Sequence, residues 1–102
     1  MLKYFSDAAF REDLKSRDQM YVYFYSPGCG PCIEVHPKVD QFGKSTNNIV
    51  YMVRDDDAPE LQKQLQVTAY PSMVLVKNKK VARAGLGAQE VTNMIEDGKS
   101  NK

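Results

Sequence analysis

Cys29-Gly30-Pro31-Cys32 holds both cysteines of a 102-residue chain, and its setting constrains the fold more than any other segment. Chance would place two cysteines three apart roughly one time in fifty, so the spacing calls for a chemical reason. Before it runs Met20-Tyr21-Val22-Tyr23-Phe24-Tyr25, continuously apolar and aromatic, the pattern of a strand covered on both faces in a parallel sheet. Pro27-Gly28 interrupts that strand. After it, residues 29 to about 42 carry a helical pattern, with Pro37 inside it removing an N–H and predicted to kink the helix. The first thiol then sits at a helix N-terminus, where unpaired N–H groups and the helix dipole favour thiolate. Two such thiols can close into a small disulfide or open to a dithiol, so thiol–disulfide exchange is the implied chemistry.

The rest of the chain alternates strand and helix patterns. Residues 2–5 suit a short edge strand, and Ser6 can cap a helix carrying Phe10 and Leu14 on one face. Ile49-Val50-Tyr51-Met52-Val53 is a second buried strand, closed by Arg54 and Asp55-Asp56-Asp57. Asp57 is expected to cap a third helix, with Pro59 in its first turn and Leu61 and Leu65 facing inward. Met73-Val74-Leu75-Val76 and Val81-Ala82-Arg83-Ala84 bracket Lys77-Asn78-Lys79-Lys80, a hairpin pattern that Gly85 and Gly87 then break. Val91, Met94 and Ile95 mark the inner face of a last helix, expected to end at Gly98. The order β-α-β-α-β-α-β-β-α predicts an α/β fold: a mixed sheet of four to five strands with helices on both faces. Residues 1–98 make one domain, and 99–102 read as a polar tail.

A chain of this length can bury roughly two-thirds of its unfolded surface, enough for a core without disulfide staples. Its 14 basic and 13 acidic residues nearly balance, so neither nucleic acid nor an anionic membrane is an expected partner. No apolar run approaches the roughly 20 residues needed to cross a bilayer. The first residues carry no apolar segment of a secretory leader, and both cysteines belong to one motif. A reducing compartment, the cytoplasm, is therefore the expected location, and the chain is expected to act as a monomer. One CxxC plus His36 offers too few ligands for a metal site, and no cofactor is expected.

Several further residues match one family in order and spacing. Besides Cys29-Gly30-Pro31-Cys32 at a strand-to-helix junction, Pro37 lies five residues past the second cysteine. Tyr70-Pro71-Ser72 precedes the hairpin, and Gly87-Ala88 precedes the last helix. Together these make the chain resemble the thioredoxins over nearly its whole length. The resemblance implies the thioredoxin fold, protein disulfide substrates, and recycling by a flavoprotein of the thioredoxin reductase type. It also implies that Pro71 is cis and lies beside the Cys29 sulfur, leaving the Tyr70 backbone free to pair with an extended substrate. Gly28, Gly30 and Pro31 form the active-site loop, and Gly87 with Ala88 completes the rim.

Four departures from the family stand out. The residue before the first cysteine is Gly28, where thioredoxins usually carry Trp. Tyr23 occupies the position of a buried Asp, Met52 that of its Lys partner, and Tyr70 that of a Val or Ile. Losing both halves of a buried acid–base pair is coherent, because one charge without the other costs several kcal/mol. Proton transfer to or from Cys32 must then use something else. Tyr23 is a poor base at neutral pH, able at most to offer a hydrogen bond. His36, four residues past Cys32 on the same helical face, is the other candidate.

The leading expectation is a thiol–disulfide oxidoreductase, a protein disulfide reductase. The alternative is a thioredoxin-fold binding module or accessory subunit that docks through the rim around Cys29, Tyr70 and Gly87. An oxidase or isomerase is disfavoured by the Gly-Pro dipeptide, which in the family accompanies reductants.

Overall fold

A computed structural model of the protein describes residues 1–100; Asn101 and Lys102 of the expected tail lie outside them. Five strands and four helices follow in the order β1 Leu2–Tyr4, α1 Asp7–Ser16, β2 Gln19–Tyr25, α2 Gly30–Ser45, β3 Ile49–Arg54, α3 Pro59–Gln64, β4 Ser72–Lys77, β5 Lys80–Leu86 and α4 Ala88–Ser100. The strands form one sheet in the order β1-β3-β2-β4-β5. β1, β3 and β2 run parallel, while β4 and β5 are antiparallel additions. The mixed sheet and the expected alternation are both present.

Strand alternation sorts the core into two layers. Met20, Val22, Phe24, Ile49, Tyr51 and Val53 face Phe10 of α1, with Leu61 and Leu65 of and beside α3. Tyr21, Tyr23, Val50 and Met52 face Val35, Val39 and Phe42 of α2 and Val91, Met94 and Ile95 of α4. Because β2 and β3 are covered on both sides, their sequences read as unbroken apolar runs. The end of central β2 delivers the chain directly to the N-terminus of α2, and that junction carries the cysteines.

Four local expectations are corrected. α2 runs on through Pro37 to Ser45, three residues past the expected end, because Val39, Phe42 and Gly43 remain buried against the sheet and β1. Asp57 does not cap α3; Ala58 occupies that position without a side-chain bond. The Asp57 carboxylate instead accepts the Arg54 N–H at 2.9 Å, tying off the end of β3. Nor does Gly98 end α4, which continues to Ser100 and takes in the first two residues of the expected tail. A β-carbon at Gly98 would lie 2.7 Å from the Tyr21 hydroxyl and 2.8 Å from Phe42 Cζ. Glycine is needed there for close approach, not for a stop. Gly85, expected to break the hairpin, lies within β5.

One buried charge holds the α1 layer. Asp13 accepts a hydrogen bond from the Tyr51 hydroxyl and an ion pair from Lys3 Nζ at 2.8 Å, so one carboxylate ties α1 to β1 and β3. Burial alone would raise its pKa, but Lys3 and Tyr51 together outweigh that and hold it below the usual carboxylate value. A group depressed in this way contributes stability above its unfolded pKa and loses it as pH falls through the folded one. Asp13→Asn is expected to lower unfolding free energy at pH 7 by about 2 kcal/mol. In urea denaturation the gap to the wild type should close as pH is taken below about 4.

Candidate active site

The backbone turns from β2 into α2 through Ser26, Pro27 and Gly28, and Cys29 caps the helix with an extended conformation. The Cys29 N–H donates to the Ser26 carbonyl at 3.2 Å. Its Sγ accepts the Cys32 N–H at 3.1 Å, one of the donors that a helix N-terminus leaves unpaired. Pro31, in the first turn, has no N–H to satisfy. Cys29 and Cys32 are joined as a disulfide with Cα atoms 5.2 Å apart. Cys29 is partly exposed, whereas Cys32 is buried at 3% exposure. An outside disulfide therefore meets Cys29 first.

The other expected rim residues converge on that sulfur. The Tyr70–Pro71 peptide is cis, Pro71 is buried, and the Tyr70 carbonyl lies 3.5 Å from Cys29 Sγ. Gly87, at φ +90°, donates its N–H to the Pro71 carbonyl at 2.8 Å. That left-handed conformation is what requires glycine at 87. Gly28 and Gly30 are exposed, and a β-carbon at either would touch nothing described within 4 Å. The side of Cys29 that a bulky residue at 28 would cover is open.

Tyr23 and His36 lie behind the disulfide in an aromatic group. Tyr23 stacks on Tyr25 with ring centres 5.6 Å apart. His36 meets Tyr25 edge-on at 5.1 Å and Tyr23 at 6.0 Å. Tyr23 is fully buried, and its hydroxyl has no hydrogen-bond partner among the described residues. The hydrogen bond that the sequence suggested it could offer is not formed. Burial, with the neighbouring Tyr25 second, pushes its pKa well above the usual tyrosine value, which removes it as a base. His36 is half-buried and, with Tyr25, Pro27, Cys32, Ile33 and Pro37, lines a depression of about 330 Å³.

The chain matches the Thioredoxin family over residues 1–99. It is 30% identical over 80 residues to mitochondrial thioredoxin-3 of Saccharomyces cerevisiae, covering 78% of this chain and 63% of that one. Thioredoxin of Rhodospirillum rubrum is 29% identical over 98 residues, covering 93% of this chain and 94% of its own. The X-ray structure of Fasciola hepatica thioredoxin superposes with a TM-score of 0.80 at 29% identity, covering 98% and 99% of the two chains. The chain belongs to the thioredoxin family.

Its Cys29–Cys32 pair is accordingly the redox couple of a thioredoxin-type thiol–disulfide oxidoreductase, an enzyme of the protein-disulfide reductase class. Within this thioredoxin the two departures at 23 and 52 fall at one place in the sheet. Tyr23 and Met52 are direct cross-strand partners on β2 and β3, both fully or nearly fully buried in the α2–α4 layer. No charge was left stranded there.

Sequence reasoning missed a polar link behind Tyr70. The Tyr70 hydroxyl donates to Gln62 Oε1, Gln62 Nε2 donates to the Asp55 carbonyl at 2.8 Å, and Ser26 Oγ donates to the Asp55 carboxylate at 3.2 Å. Gln62 is only 8% exposed. In a helix of six residues its periodicity gave no sign of that, since Leu61 and Leu65 already account for an inner face.

Because the Tyr23 hydroxyl is buried unpaired, Tyr23→Phe is expected to be neutral or to stabilise the fold by up to about 1 kcal/mol. It should leave the pH profile of disulfide reduction unchanged. A loss of stability in denaturant melts, or a shifted profile, would show that the hydroxyl has a partner in the working enzyme.

Proposed function

We propose that this thioredoxin reduces disulfides of protein substrates by a two-step exchange in which Cys29 attacks and Cys32 resolves. The observation that carries this reading is the placement of Cys29 Sγ: a helix cap, accepting the Cys32 N–H, partly exposed beside the Tyr70 carbonyl. Backbone N–H donors and the helix dipole stabilise negative charge on that sulfur, and thiolate is the attacking species.

In the dithiol form, the Cys29 thiolate attacks one sulfur of a substrate disulfide. That S–S bond breaks, a Cys29–substrate disulfide forms, and the departing sulfur leaves as thiolate and takes a proton from water. Cys32, after giving its proton to solvent, attacks Cys29 Sγ. The second substrate sulfur departs, and Cys29–Cys32 is left oxidised. Two electrons have moved to the substrate. Tyr23 has no part in the proton step; His36, on the wall of the depression beside Cys32, is the nearer candidate to carry it.

Restoring the dithiol needs a two-electron donor. The chain has no glycine-rich nucleotide-binding motif, so the electrons come from a partner, for which a flavoprotein of the thioredoxin reductase type is our reading. We further propose a reducing compartment, the cytoplasm, on the strength of its two cysteines serving one redox motif.

Cys29→Ser is expected to abolish insulin disulfide reduction. Cys32→Ser should leave the first step intact and accumulate a mixed disulfide, visible on non-reducing gels and reversed by dithiothreitol. Absence of reduction in the wild type, with a partner bound equally well by both variants, would mark a binding module instead.

A further inference from the structure

Gln62 is a buried amide between Leu61 and Lys63 in a short helix. Such a group is tolerated only when its donor and acceptor are both paired. Its donor is committed to the Asp55 carbonyl and its acceptor to the Tyr70 hydroxyl. Tyr70 packs its ring against the α1–α3 layer of the core and presents its carbonyl to Cys29 Sγ at 3.5 Å. In the other direction, the Asp55 carboxylate holds the Ser26 hydroxyl, and the Ser26 carbonyl holds the Cys29 N–H. The links close a ring through Cys29, Ser26, Asp55, Gln62 and Tyr70, joining the loops after β2 and β3 to α3 and the segment before β4.

We propose that this ring is a clamp that fixes the Tyr70 main chain beside Cys29, and that Gln62 and the Tyr70 hydroxyl are positioning residues for polypeptide substrates. The inference rests on the disulfide reductase reading above and deepens it. A small disulfide needs only the exposed sulfur. A polypeptide must also lay an extended segment along the rim, pairing main chain with main chain. Holding that edge in place beforehand removes an ordering cost from binding. The aliphatic residue usual before the cis-proline in the family offers no hydroxyl to anchor; here Tyr70 supplies one and buried Gln62 receives it. The clamp therefore acts on substrate binding, and the attacking sulfur keeps its own stabilisation from the Cys32 N–H.

The test compares insulin, reduced by the dithiothreitol-recycled full chain, with dithiobis(nitrobenzoate), reduced stoichiometrically by the pre-reduced full chain after the dithiothreitol has been removed. Gln62→Met should raise KM for insulin at least about fivefold, the worth of the Tyr70–Gln62 hydrogen bond alone at about 1 kcal/mol, with kcat and the rate on the small disulfide unchanged. Tyr70→Phe keeps the ring and removes only the hydroxyl; it should raise the insulin KM alike, and it carries the test if Gln62→Met does not fold. The double variant should be no worse than Gln62→Met alone, since that change already removes the bond that Tyr70→Phe removes. An insulin KM equal to that of the wild type, or an equal loss on both substrates, overturns the clamp. Wild-type protein unable to reduce even the small disulfide overturns the function on which the clamp rests, and the clamp with it.

Discussion

The contact between Cys29 Sγ and the Cys32 N–H at the start of α2 is the interaction around which the rest of the structure is arranged. A helix must begin somewhere, and its first donors need acceptors. Here the acceptor is a sulfur rather than a hydroxyl or carboxylate, so a structural need of the helix and the chemical need of the thiolate are met by one bond. β2 is central and covered on both faces, so the junction starts from a buried strand of the sheet. Burial of Cys32 separates the two thiols into an outer and an inner role.

The two core layers of this thioredoxin differ in charge. The layer beneath the disulfide is apolar and aromatic, with Tyr23 facing Met52 across the β2–β3 pair and the Tyr25 and His36 rings packed beside it. Its opposite layer carries a buried carboxylate, Asp13, satisfied by Lys3 and Tyr51. A charge that is paired and hydrogen-bonded can be buried at tolerable cost. On the Tyr23–Met52 side of the sheet that arrangement would need both an acid and a base, and positions 23 and 52 supply neither. Protons moving to and from the inner thiol must therefore travel without a fixed carboxylate. The rim is altered in the same spirit: open at Gly28, and polar behind Tyr70.

Most of the architecture was legible in local pattern. Unbroken apolar runs marked β2 and β3, the Asn78-Lys79 turn with its two positive φ angles sits where the hairpin was expected, and Val91, Met94 and Ile95 are indeed the buried face of α4. The nucleophile's place at a helix N-terminus followed from the strand–CxxC–helix order alone. What stayed hidden depends on partners far along the chain or across the sheet. Asp13 sits among exposed charged neighbours in sequence, and its partner Tyr51 is 38 residues away. Gln62 looks like any polar residue of a short helix until Tyr70 folds back on it. At Gly98 a local rule met a tertiary one: glycine commonly stops helices, yet here α4 needs it to pass over Tyr21 and Phe42.

The account stands on the ionisation of one sulfur, and that can be read directly. In reduced protein, the rate of Cys29 alkylation by iodoacetamide, followed with pH in the Cys32→Ser background, titrates the attacking thiol. Capping by the α2 N-terminus requires a midpoint at least about one unit below the ordinary cysteine value of about 8.5. A midpoint at or above that value would contradict it, and would leave the proposed exchange without its nucleophile.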